Sequence, residues 1–80
     1  MAWVYILRGS NGRHYIGSAV DLYARFAQHR RGHTYTTKRL GDNIEVVASK
    51  EVATLTVARR IEHILKAKKN PKLAIHYLQQ

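Results

Sequence analysis

The sequence predicts an α+β fold, with a three-stranded antiparallel sheet flanked by helices. Three observations carry that reading. Two β-branched or aromatic runs, Trp3-Val4-Tyr5-Ile6-Leu7 and Arg13-His14-Tyr15-Ile16-Gly17, flank a glycine-rich turn, which is a hairpin signal. A third such run, Ile44-Glu45-Val46-Val47-Ala48-Ser49, follows a second turn cluster at Gly41-Asp42-Asn43. The segments between and after these runs repeat their apolar residues at helical spacing.

The first run is apolar on both faces, so it is expected at the centre of the sheet. Gly9-Ser10-Asn11-Gly12 supplies the turn. Its length decides whether two tyrosines meet. A three-residue loop, Ser10-Asn11-Gly12, with Gly12 in the left-handed region, keeps Tyr5 and Tyr15 on one face. Leu7 then pairs with Tyr15, and Gly17 pairs with Tyr5 and leaves space beside its ring. A four-residue loop would put the phenols on opposite faces.

Asp21 is a good N-cap for a helix running to about Arg31, with Gly32 ending it. Each helical residue turns about 100°. Arg25 and His29 are therefore one turn apart, on the shoulder of the stripe made by Leu22 and Phe26. An arginine on a buried shoulder needs a partner. His33-Thr34-Tyr35-Thr36-Thr37-Lys38-Arg39 reads as a basic surface loop suited to a phosphate backbone.

A long helix is expected from about Val52 to Lys68, with Val57, Ala58, Ile61, Ile64 and Leu65 as its apolar face. Glu62 lies beside that face and forms an i, i+4 pair with Lys66. Asn70-Pro71 starts a last short helix, in which Leu73, Ala74, Tyr77 and Leu78 close the core.

The composition narrows the function. An 80-residue chain is read as one domain, residues 1–80, with one core. The absence of cysteine excludes a disulfide scaffold and a thiolate zinc site. His14, His33, His63 and His76 have no zinc-ligand spacing. No apolar run is long enough to span a membrane and no signal-peptide pattern opens the chain, which points to the cytoplasm. Fourteen Lys and Arg face five Asp and Glu, a formal net charge of +9. That excess predicts a polyanionic partner, nucleic acid first.

The ordered set Trp3-Val4-Tyr5, Tyr15-Ile16-Gly17, Arg25, His29 and Glu62 resembles the GIY-YIG nuclease superfamily, and its small single-domain bacterial members most of all. The second triplet matches letter for letter. In the first, Trp3 and Val4 stand where the family name has Gly and Ile, and Tyr5 is kept. The resemblance covers nearly the whole chain.

It implies a GIY-YIG-like fold and an endonuclease that hydrolyses DNA phosphodiester bonds with one divalent ion, Mg²⁺ or Mn²⁺. On that reading the catalytic residues are Tyr5, Tyr15, Arg25, His29 and Glu62, with Glu62 holding the metal. Tyr5 would activate water or orient the group that does. Tyr15 would bond near the nucleophile or the phosphate. Arg25 would neutralise the phosphate, and His29 would bond to Tyr5 or to the phosphate. Gly17, Lys38, Arg39 and Lys66 are the candidates for nucleic-acid contact.

A tyrosine titrates near pH 10, so a basic role needs nearby positive charge, from Arg25 and the metal. The rate is then expected to rise with pH through the neutral-to-alkaline range. No sequence-reading element is recognisable, which predicts low sequence specificity, recognition of DNA structure, or a targeting protein partner. RNA as substrate stays open, as does oligomeric state. The alternative is a nucleic-acid-binding module of the same fold that does not cut.

Overall fold

The computed structural model describes residues 1–31 and 43–79. The first strand, β1 (Ala2–Gly9), pairs antiparallel with β2 (His14–Ala19) and with β3 (Ile44–Val52), in the order β2-β1-β3. The expected central position of the first strand is therefore met. Three helices complete the described chain: α1 (Leu22–Arg30), α2 (Leu55–Lys68) and α3 (Pro71–Leu78).

The hairpin closes as the three-residue loop requires. Gly12 has φ +83°, and Leu7 faces Tyr15 while Tyr5 faces Gly17. The Gly9 N–H donates to the Arg13 carbonyl at 2.8 Å, and the Gly12 N–H to the Gly9 carbonyl at 3.0 Å. On the other side of β1 the register shifts between Ile6 and Leu7, which pair with Ala48 and Val46. Val47 is the extra residue of that irregularity.

Period-two alternation sorts the strands onto two faces. Ala2, Val4 and Ile6 join Ala48, Ala58, Leu65, Ala74 and Leu78 in one buried cluster, covered by α2 and α3. Tyr5 and Leu7 point the other way, towards Tyr15, Leu22, Phe26 and Val46, covered by α1. β2 and β3 are the two edge strands, and the two faces meet along β2 beside the site.

The structure differs from the sequence reading at the third strand and the long helix. β3 runs on through Lys50, Glu51 and Val52, which pair with Val4, Trp3 and Ala2. The helix consequently starts at Leu55, not near Val52. Thr54 is its N-cap, and the hydroxyl accepts from the Val57 N–H at 3.2 Å. The buried stripe of α2 is also narrower than expected. Ala58 and Leu65 are buried, whereas Val57 and Ile64 are 36% and 44% exposed. On α3, Ala74 and Leu78 are buried, while Leu73 and Tyr77 are about half exposed.

The caps read at Asp21 and Asn70 are both present. Asp21 accepts from the Ala24 N–H, and Asn70 from the N–H groups of Lys72 and Leu73. Among the described residues no helix is long and apolar enough to cross a membrane. Gly32 and the His33–Arg39 loop lie outside the described residues.

Candidate active site

Tyr5 sits at the centre of the sheet and is 1% exposed. Its neighbour across the ladder is Gly17, and the vacancy there is specific. A Cβ on Gly17 would lie 2.6 Å from Tyr5 Oη and 3.0 Å from a Tyr15 ring carbon. Gly17 is itself buried under the two phenols. Expected at a nucleic-acid interface, it instead makes room for the Tyr5 ring.

His29 reaches the same spot from α1. Its Nε2 lies 3.1 Å from Tyr5 Oη, and the residue is 1% exposed. Three rings close the cluster: Tyr5 and Tyr15 have centroids 6.3 Å apart, Tyr5 and His29 6.0 Å, and Tyr15 and His29 5.3 Å. Tyr15 is half-buried, so of the two phenols it is the one nearer solvent.

Burial sets the proton chemistry. It pushes the Tyr5 phenol up to about 12; Arg25 opposes by bonding to it and by its charge, while Tyr15 and Glu62 add to the rise. Arg25 lowers the Tyr5 pKa as expected of a nearby cation, but desolvation of the phenolate outweighs it and the net shift is upward. His29 moves below its usual 6.5, first through burial and then through the charge of Arg25. At neutral pH the pair is a neutral phenol beside a neutral imidazole. With the ring proton on Nδ1, His29 accepts the phenol proton at Nε2.

Arg25 is exposed, not held on a buried shoulder. Its guanidinium donates to Gln28 Oε1 at 3.4 Å and interacts with Tyr5. An exposed cation next to a buried phenol is free to meet an arriving anion.

Glu62 comes from α2 and reaches the edge strand. Its Oε1 accepts from Ser18 Oγ at 2.5 Å, and its Oε2 pairs with Lys66 Nζ at 2.8 Å. The i, i+4 pair read from the sequence is thus present, and it is built into the site. The Glu62 side chain is only 21% exposed, and its charge is felt at Tyr5. Lys66 Nζ in turn lies 5.6 Å from the Tyr15 ring centroid.

Ser18 was not singled out by the sequence reading, and neither was Arg59. Arg59 lies three residues before Glu62 and lines a groove of about 290 Å³ with Ser18, Arg25 and Gln28. Helical spacing from Glu62 was the available signal for Arg59. Ser18 shares the face of Ile16, which packs towards α2.

The set drawn from five distant positions therefore assembles at the β2 edge, with Lys66 beside it. Lys38 and Arg39 lie outside the described residues. The sequence from residue 1 to residue 74 matches the GIY-YIG catalytic domain. The chain belongs to the GIY-YIG family. It is also 33% identical over 73 residues to the "UPF0213 protein" of Streptococcus pneumoniae serotype 4, an alignment covering 89% of this chain and 72% of that protein. No solved structure matches.

The GIY-YIG fold is the α+β arrangement seen here, a three-stranded antiparallel sheet with helices on it. Membership points to a nuclease, a hydrolase acting on nucleic acid. Among the described residues there is no cluster of three or more His, Asp or Glu side chains able to hold a metal. Glu62 offers a single hard carboxylate, the donor type that Mg²⁺ takes. Such a site fits Mg²⁺ when water and substrate phosphate fill most of the coordination shell.

Proposed function

We propose that this domain is a divalent-metal-dependent endonuclease that hydrolyses DNA phosphodiester bonds with low sequence specificity. The observation that carries the reading is the buried Tyr5–His29 pair, hydrogen-bonded at 3.1 Å, with Arg25 and Glu62 close enough to act on its phenol.

A phenol with a pKa of about 12 is ionised in only about one molecule in 10⁵ at pH 7. A pre-formed phenolate is therefore a poor base here. The geometry supports a relay instead. As water attacks phosphorus and the P–O bond to the leaving sugar oxygen breaks, the water proton passes to Tyr5 Oη while the phenol proton passes to His29 Nε2, and the leaving oxygen takes a proton from solvent. This route needs neutral His29, which burial secures. The rate then levels off above the pKa of His29 and does not climb towards that of tyrosine.

Arg25 neutralises the non-bridging oxygens as charge builds there. Tyr15 orients the attacking water or the phosphate from the solvent side. Glu62 would hold Mg²⁺ or Mn²⁺, which when bound would stabilise the charge on the phosphoryl oxygens as a Lewis acid. Ser18 fixes one Glu62 oxygen, and Lys66 must yield the other. Low specificity follows from the type of contact, since exposed cations meet phosphates and not base edges.

One observation favours the second reading, a module that binds nucleic acid without cutting it. Both Glu62 oxygens already have protein partners, Ser18 and Lys66. Supercoiled and branched DNA incubated with the protein, with and without Mg²⁺, separates the two. Nicking that requires the cation supports the enzyme; binding with no nicking under either condition supports the module.

A further inference from the structure

A second groove, of about 430 Å³, opens beside the site on the side away from Arg25. It shares Tyr15 and Lys66 with the active site, has Ile16 and Leu65 in its wall, and is completed by His14, Lys69, Asn70 and Pro71. We propose that this groove holds a backbone phosphate of the substrate strand about three nucleotides from the scissile one, with Lys69 as the cation that binds it. The inference rests on the nuclease reading and extends it to the path of the substrate.

The conformation of Lys69 is the observation that points there. It ends α2 with φ 53° and ψ 30°, the left-handed region. It is the one non-glycine residue with positive φ among the described residues. Glycine adopts that conformation freely and is the usual residue at this place after a helix. The helix does not need Lys69 to complement its dipole, because Lys66 and Lys68 already stand in the last turn. A lysine held in a glycine conformation thus lines the groove.

The surrounding structure holds the Lys69 backbone in place. The Asn70 side chain accepts from Lys72 N–H at 3.1 Å and Leu73 N–H at 3.2 Å. Pro71 opens α3. The joint between α2 and α3 is therefore fixed, and the Lys69 backbone is fixed with it. Glu62 and Lys69 are about 10 Å apart along the helix axis. That is the axial rise of roughly three nucleotides on one strand. Lys66 lies between them, so a strand leaving the cut passes Lys66 and Tyr15 before it reaches Lys69.

The test measures binding of a 20-base-pair duplex by fluorescence polarisation over a salt series, without divalent metal. Wild type, Lys69→Gly, Lys69→Gln, Lys69→Arg and Lys68→Gln are compared, with thermal melts of each. One lost phosphate contact reduces the salt slope by about 0.9. Lys69→Gly and Lys69→Gln should therefore bind roughly fivefold more weakly at 0.15 M salt and about fifteenfold at 0.05 M. Lys69→Arg should keep wild-type affinity. Lys69→Gly should melt no lower than wild type, since the strained position is relieved. Lys68→Gln, whose side chain does not line the groove, should change the slope much less.

Equal losses in Lys68→Gln and Lys69→Gln would overturn the proposal, because diffuse charge would then explain the binding. So would an unchanged slope in both Lys69 variants. In parallel, Mg²⁺-dependent nicking by the wild type is recorded. Binding with the predicted slope changes but no nicking would remove the nuclease reading and keep the groove. No binding by any form would overturn both.

Discussion

Substituting Gly17 with alanine puts the geometry of the site under direct stress. Gly17 does not have a positive φ, so alanine meets no backbone strain there. The effect is steric. The new methyl would sit 2.6 Å from Tyr5 Oη and 2.7 Å from Tyr5 Cζ. Restoring an ordinary contact of about 3.4 Å needs a movement of about 0.8 Å. Tyr5 has nowhere easy to go: it is 1% exposed, its hydroxyl is bonded to His29, and Tyr15 closes the other side. Overpacking of this kind costs about 1–3 kcal/mol. In a domain of this size that is a fall in Tm of about 4–8 °C per kcal/mol. A misplacement near 1 Å at a reacting group lowers the rate by about 10²-fold. The assay is a thermal melt together with single-turnover cleavage well below the variant's Tm, at saturating protein. The expected result is a lower Tm, a rate down about 10²-fold and little change in Kd. Adding Tyr5→Phe removes the contact at 2.6 Å but leaves the ring carbon at 2.7 Å, so stability should recover only in part. A Gly17→Ala protein that melts and cuts like wild type would refute the claim that this vacancy positions Tyr5.

Three further outcomes follow from the same geometry. Tyr5 stays protonated in the folded state up to about pH 12 but ionises near 10.0 when unfolded, so its contribution to stability is intact below pH 10 and falls as pH rises from there. Denaturant melts should show wild type losing about 2–3 kcal/mol more than Tyr5→Phe between pH 9 and pH 12, and parallel curves would contradict the burial argument. His29 has the opposite window: its lowered pKa means that the unfolded chain takes up the proton first as pH falls below 6.5, so native stability is full above 6.5 and declines below it. His29→Gln should flatten that acid decline and abolish the plateau of the cleavage–pH profile; an unchanged profile would remove His29 from the relay. Arg25→Ala, at an exposed position, should leave Tm within about 0.5 kcal/mol equivalent while lowering the single-turnover rate by about 10²–10³, and a pure binding defect would contradict its assigned role.

Local physics made some of this structure legible in the sequence. The hairpin register followed from parity and from the demand for a left-handed residue, which Gly12 meets. The caps at Asp21 and Asn70 followed from short polar side chains placed before helical runs. The end of β3 did not follow, because Lys50 and Glu51 look like a turn or a helix start until their pairing with β1 is known. Thr54 carried the missed signal, as an N-cap three residues before Val57. The exposed faces of α2 and α3 were misjudged at Val57, Ile64, Leu73 and Tyr77, because the covering elements are small and bury only a narrow stripe.

The candidate site was legible as a list of residues that the fold brings together, and less so as an environment. Tyr5, Tyr15, Arg25, His29 and Glu62 were picked out through a family resemblance, and the fold brings them to one edge strand. Their burial was not legible. Arg25 looked buried and is exposed, and Tyr5 looked open to activation by charge but is desolvated. The proposed proton relay therefore turns on His29, whose part the sequence left between phenol and phosphate. Ser18 escaped notice because a single hydroxyl on a strand carries no signature until a carboxylate is found beside it.

The most direct test of the account is the single-turnover cleavage rate of Glu62→Gln against wild type, with Mg²⁺ and with protein in excess over DNA. The amide keeps an acceptor for Ser18 and removes the charge that would hold the cation. The account predicts a rate lower by at least about 10² with Kd for DNA unchanged or tighter. Cleavage by Glu62→Gln at the wild-type rate would contradict it.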